Sequence, residues 1–265
     1  MSSTTSTTPV HESNRRRRTP GWHRAVSPIT LLALWQTASS TGLLPPDKLD
    51  SPAAIFESLT RLWSEGELQD AVAVSGQRVL LGFTIGATVG VVLAVLAGLS
   101  RLGENAIDPP MQMLRTVPHL GLLPLLVLWF GIDETPKVAI IALGVSFPLY
   151  VNTYAGVRGV DQKFLDAARV LGLSQWERLR QVVLPAALPS ALVGLRLSLG
   201  VAWLTLIVAE QINTTSGIGF IVMDAASFNR TGEMVGGLLI YSSLGLLTDS
   251  LVRYIERKAL AWRTG

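Results

Sequence analysis

Covalent chemistry has little to work with in this sequence. There is no cysteine, which removes disulfides, thiolate metal sites and cysteine nucleophiles, and the three histidines, His11, His23 and His119, form no H-E-x-x-H pair. Ser146 and Ser198 stand without a neighbouring base, so an intramembrane hydrolase lacks its nucleophile pattern. No G-x-x-x-x-G-K-[ST] loop is present to cradle phosphates, and Gly217 with Gly219 is too short a pattern to serve. What the sequence does offer is charge in apolar surroundings. Arg115, His119, Arg196, Glu210 and Asp249 lie in or beside long uncharged stretches, where an ionisable group is costly and marks a solute pathway by default. Arg115, His119 and Arg196 suit transient attraction of an anion, with Glu210 at the outer end of its stretch. The competing reading is structural: Arg115 and Arg196 reach along the lipid to its cytoplasmic surface, Asp249 lies within a turn of Arg253, and Glu210 meets an external protein or water. Trp129, Phe130 and Trp203 read as packing or interface anchors.

The elements that must position these groups are spans. Hydrophobic residues make up 49% of the chain and charged ones 15%, against about a quarter in an average soluble domain. Residues 25–46 carry no charge and form the first expected span (segment 25–47), with a cleaved secretory signal as the weaker alternative. Segment 48–72 reads as an amphipathic helix at the outer interface, Ser51 capping it and Pro52 opening it, with Ile55, Phe56, Leu59, Leu62 and Trp63 at helical spacing. The core, 73–257, holds five more expected spans at 79–99, 111–132, 138–157, 188–209 and 234–254. Gly82, Gly86 and Gly90 stripe the first of these, and Pro118 and Pro124 interrupt the second. Residues 1–24, with the run Arg15 to Arg18, are expected to be a disordered cytoplasmic tail, and 258–265 a cytoplasmic C-terminal tail.

Six spans put both termini on one side, and sixteen of the 22 Lys and Arg residues then fall on that side. The positive-inside rule makes it the cytoplasm. The segment 158–189, between the fourth and fifth spans, is longer than topology requires. It reads as two short helices at a fixed angle: 160–171, with Phe164, Ala167, Ala168 and Leu171 on one face, ended by Gly172, and a second opened by the Ser174-Gln175-Trp176-Glu177 capping box. Such an exposed apolar and basic element needs either a partner or the protein's own spans to cover it.

The run Asp166-Ala167-Ala168, then Gly172, then Val183-Leu184-Pro185 resembles the EAA…G…LP signature of ABC importer permeases, with Asp where the family usually has Glu. Gly98-Leu99-Ser100-Arg101, Gln112-Met113-Leu114-Arg115, Val117-Pro118-His119, Leu128 to Glu134, Ala202 to Glu210 and Ser216-Gly217-Ile218-Gly219 together resemble the aliphatic sulfonate branch of the nitrate, sulfonate and taurine permeases. Nitrate, taurine and thiamine-precursor pyrimidine permeases share much of that pattern. The resemblance implies an all-α membrane protein of six transmembrane helices, a type I ABC importer transmembrane domain in the bacterial inner membrane. It implies a loop docked on a cytoplasmic ATPase, two such ATPase subunits holding the ATP and Mg, and an extracytoplasmic solute-binding protein. A second copy of this permease would complete the pore. This chain would hold no cofactor or metal, bind lipid but no nucleic acid, and catalyse nothing. A stand-alone secondary transporter would leave the helical loop without a role.

Overall fold

The computed structural model describes residues 23–212 and 214–261, and every regular element among them is helical. The expected N-terminal tail lies outside the described residues up to residue 22, as do residues 262–265. The elements are α1 (His23–Ser40), α2 (Pro52–Ser64), α3 (Glu67–Leu99), α4 (Arg101–Thr116), a 3₁₀ turn (His119–Leu122), α5 (Leu123–Phe130), α6 (Glu134–Arg158), α7 (Gln162–Val170), α8 (Gln175–Arg178), a π turn (Leu179–Val183), α9 (Leu184–Glu210), α10 (Ile218–Ser227) and α11 (Thr231–Ala259).

Small residues set the packing. A Cβ on Gly86 would stand 2.3 Å from the Ala142 carbonyl oxygen, and one on Gly90 would stand 2.5 Å from that of Ser146. The backbones of α3 and α6 therefore touch along the glycine stripe, as tight packing in lipid requires. Contacts advance together along both helices, from Gly82 on Ile141 to Gly98 on Val157, so α3 and α6 run parallel. By contrast α9 runs antiparallel to α6, with Gly156 against Ala187 and Ser198 donating to the Val145 carbonyl at 2.7 Å. Trp203 Nε1 donates to Thr248 Oγ1 at 3.0 Å and Arg196 pairs with Asp249 at 2.7 Å, which fixes α11 antiparallel to α9. Ile140, Ile141, Val145 and Leu206 fill the centre with no solvent exposure. Leucines such as Leu80, Leu246 and Leu251 project outward unburied, as a hydrocarbon solvent permits.

Four helices are long and apolar enough to cross a membrane: α3, α6, the continuous rod Gln175–Glu210, and α11. The expected span at 111–132 is not one straight helix. It is α4 and the 3₁₀–α5 segment meeting at 89°. The break falls at Val117 and Pro118, where proline lacks an N–H and drives the preceding residue to extended backbone. Because α3 and α6 are parallel, residues 100–133 must carry the chain from the far end of α3 to the near end of α6. The bent pair is thus a broken span, making a fifth crossing. At the N-terminus, α1 ends at Ser40 rather than reaching 46, and Ser, Thr and Gln side chains leave it short of the apolarity of the other four.

Two further expectations change. The amphipathic segment divides: α2 stops at Ser64, and Gly66, at φ +85°, turns the chain directly into α3. Within α2, Ile55 and Leu62 of the expected apolar stripe are buried, but Phe56 and Trp63 are exposed, so the face that packs is narrower than expected. The second short helix of the 158–189 segment does not stand apart either; it runs through the π turn into α9 as one rod of 36 residues. Pro185 has no N–H for the carbonyl four residues back, and the wider turn, with Leu184 N–H bonding Leu179 O, absorbs the mismatch.

Candidate functional site

Three constructions lie at three depths of the bundle. At one end is a corner. Helix α7 closes with Leu173 N–H on Ala168 O at 3.1 Å and Gly172 N–H on Arg169 O at 3.0 Å, a complete Schellman motif, and Gly172 takes φ +75° as its spacing requires. Two residues later the capping box of α8 is closed both ways: Ser174 N–H donates to Glu177 Oε2 at 2.8 Å and Glu177 N–H to Ser174 Oγ at 3.3 Å. The hydrogen bonds from Ser174, side chain first and backbone second, hold the Glu177 carboxyl below its ordinary value. Two caps back to back leave the angle between α7 and α8 little freedom.

The corner's surface differs from the expected face. Ala168 turns inward, beside the half-buried Leu165, whereas Phe164, Ala167 and Leu171 point outward. Val170, Leu171 and Trp176 are 87%, 78% and 66% exposed, an apolar surface that nothing among the described residues covers. Asp166 is on this surface, accepting from Arg169 Nη1 at 2.8 Å, so its shorter carboxylate is spent locally. Leu184 and Pro185 lie at the start of α9, behind the corner.

At the opposite end is a buried clasp that sequence reasoning missed. Glu210 does not face water or an external protein; its side chain is wholly buried. It accepts from Arg78 Nη1 at 2.6 Å, Gly219 N–H at 2.9 Å and Tyr241 OH, with Ser75 Oγ 2.7 Å from Oε1. Arg78 also donates to Glu134 through Nε at 2.5 Å and Nη2 at 2.6 Å, and to Ser216 O and Oγ at 2.8 and 3.1 Å. All five guanidinium protons and both Glu210 oxygens are thereby satisfied, the condition for a buried ion pair to hold. Lys137 Nζ, 3.4 Å from Glu134, completes a neutral set. Gly217, at φ +101°, and Gly219 are glycines because a Cβ on either would fall 2.4–2.5 Å from Glu210 atoms. The signal was available: Arg78, Glu134 and Glu210 each end a span, and topology alone brings those ends to one level.

Between corner and clasp, Arg115 and His119 come together. They line a cavity of about 150 Å³ at the break of the fifth crossing, walled by α6 and α9. His119 Nε2 lies 3.2 Å from Thr205 Oγ1. Arg115 is exposed within this chain and lines the cavity beside Phe147 and Pro148 of α6. Arg196 is elsewhere, on the loop side of α9, where Asp249 bridges it at 2.7 Å to Arg253 at 3.1 Å; Asp249 thus has the neighbour expected and a second partner.

A helical membrane bundle with a rigid apolar corner at one end and a mid-depth cavity has the architecture of a membrane transport subunit. The chain belongs to the binding-protein-dependent transport system inner membrane components, whose family model matches residues 86–260. It is 45% identical to "Putative aliphatic sulfonates transport permease protein SsuC" of Bacillus subtilis (strain 168), over 93% of this chain and 90% of that one. Identity falls to 35% with "Taurine transport system permease protein TauC" of Escherichia coli (strain K12), over 88% and 86% of the two chains. Among solved structures, "Crystal structure of an amino acid ABC transporter with histidines" matches with TM-score 0.61 at 20% identity, over 76% of this chain and 97% of that one. That likeness concerns the fold.

Proposed function

We propose that this chain forms half of the membrane pathway of an ATP-driven importer and conducts aliphatic sulfonates, its α7–α8 corner docked on a cytoplasmic ATPase. The observation that carries the docking is the double cap around Gly172, which presents Val170, Leu171 and Trp176 to solvent at a fixed angle. Large exposed apolar side chains on a rigid support mark a protein contact. The excess of Lys and Arg at the corner's end of the spans supports a cytoplasmic corner and an extracytoplasmic clasp. On this reading ATP binding draws two docked corners together, in two copies of the chain, and a solute-binding protein delivers solute at the clasp end. The higher identity to a sulfonate permease than to a taurine permease supports the substrate.

The test is growth on alkanesulfonate as sulfur source, with labelled uptake, in a deletion strain complemented with wild type or Gly172→Pro. Proline fixes φ near −65°, against the +75° the corner uses. Wild type restores uptake, and the variant inserts in the membrane without doing so. A fully active Gly172→Pro removes the docking role, and uptake unaffected by the deletion removes the sulfonate assignment.

A further inference from the structure

We infer that the cavity at Arg115 and His119 is an intramembrane subsite for a compact alkanesulfonate, taking the sulfonate on Arg115 and the alkyl group on an apolar wall that excludes aminosulfonates. The inference rests on the importer reading above and deepens it.

Depth is the first ground. His119 Nε2 would lie 3.1 Å from a Cβ on Gly144, and Val201 lies equally close to that point. Gly144 is ten residues into α6 from Glu134, and Val201 nine from the end of α9 at Glu210. At about 1.5 Å per residue both are about 15 Å below the clasp end, half of a hydrocarbon core of about 30 Å. A cavity there, at an interrupted span, is where transporters bind solute.

Charge is the second. Arg78, Arg158, Arg196 and Arg253 each hold a carboxylate. Arg115 has no ion-pair partner among the described residues; it is exposed within this chain and lines the cavity, where a cation that loses its water is costly without an anion. A sulfonate would supply the missing anion through charge-assisted hydrogen bonds. His119 lines the same cavity, its Nε2 held by Thr205 Oγ1 at 3.2 Å.

The wall supplies selectivity. Leu122, Leu143, Phe147 and Val201 face the cavity and no carboxylate lines it. An alkyl group finds contact there. The ammonium of taurine, which is ethanesulfonate with an amino group at the other end, would be desolvated with no carboxylate to pair it, a loss that sites turn into discrimination.

The experiment measures equilibrium binding of labelled ethanesulfonate to membranes carrying the assembled importer without its solute-binding protein, so that this chain alone selects. Wild type should bind saturably, with taurine competing at least about tenfold more weakly than unlabelled ethanesulfonate. Arg115→Gln should weaken binding by about tenfold or more, while Arg115→Lys, which keeps the charge, should stay within a few-fold. Gly144→Ala, whose methyl crowds His119 and Val201, should weaken butanesulfonate more than methanesulfonate. Absence of saturable wild-type binding, equal competition by taurine, or unchanged binding in both Arg115→Gln and Gly144→Ala overturns the subsite. Failure of the broader reading looks different: the wild-type importer in cells would then take up no alkanesulfonate.

Discussion

Removing the cation from the clasp should destabilise the bundle more than any surface charge change. Arg78 and Glu210 have side chains 3% and 0% exposed, so Arg78→Met strands a carboxylate in a site closed to water. It also frees Glu134 and Ser216, which Arg78 holds through its remaining protons. Breaking one partner of a buried pair costs about 3–5 kcal/mol. Glu210→Gln should cost less, about 1–3 kcal/mol, because the guanidinium keeps its bidentate partner Glu134 and an amide oxygen still accepts from Gly219 and Tyr241. In the double variant the stranded charge is gone, so the losses should not add; the coupling should exceed about 1 kcal/mol. For a chain of this size each kcal/mol moves Tm by about 2–4 °C, placing Arg78→Met some 6–20 °C below wild type in nanodiscs. A single-variant loss below about 1 kcal/mol, or strict additivity, would refute the clasp as the structural anchor of that end.

Other outcomes follow from the same geometry. Gly86→Ala places a methyl 2.3 Å from the Ala142 carbonyl and should lower Tm by the equivalent of about 1–3 kcal/mol, whereas Gly76→Ala, with open space at its Cβ, should not; thermal unfolding of the two side by side decides. Glu177 titrates below its ordinary value, so its contribution to the corner is complete above about pH 4.3 and is lost as pH falls through the depressed value. Ser174→Ala should move that titration up toward 4.3, followed by carboxyl NMR of glutamate-labelled protein. Gly200 in α9 has nothing within 4 Å of an added Cβ, so Gly200→Ala should leave uptake unchanged. Gly200→Pro, which breaks the helix at a cost of about 3 kcal/mol, should abolish uptake at matched membrane levels.

Spans with long uncharged runs were legible in the sequence because composition and length decide them, and the corner was legible because its caps are local: Gly172 ends one helix and Ser174 with Glu177 begins the next. Whether Pro118 kinks a span gently or folds it through a right angle depends on what α6 and α9 leave room for, and no pattern in residues 111–132 carries that. Pro185 likewise gave no notice of a π turn joining α8 to α9. Glu210 was read as external because a carboxylate at a span end usually meets water; its burial follows from Arg78, 132 positions earlier in the chain. Buried charge is specified by its partner, and partners distant in sequence become visible only when the parallel pairing of α3 with α6 and the antiparallel pairing with α9 are known.

The three constructions share one mechanical element. The rod from Gln175 to Glu210 begins inside the corner and ends inside the clasp, about 54 Å away at 1.5 Å per residue. Between them it passes the cavity, where Val201 forms part of the wall and Thr205 holds His119. A displacement of the docked corner therefore reaches the cavity and the clasp through continuous helix, interrupted only near the corner, by the π turn at 179–183 and by Pro189. That turn lies next to the corner, so it can take up a change of docking angle while the rest of the rod moves as a unit. Since α9 packs along α6, and α6 is locked backbone to backbone on α3, a shift of the rod cannot be confined to one helix. The broken crossing follows α6 on both sides of its break: α4 is tied to α6 by Tyr150 on Asp108 at 3.0 Å and Tyr154 on Glu104 at 2.7 Å, and α5 packs on α6 through the buried Leu123. The bend at Pro118 lies between these two attachments, and it is where Arg115 and His119 line the cavity.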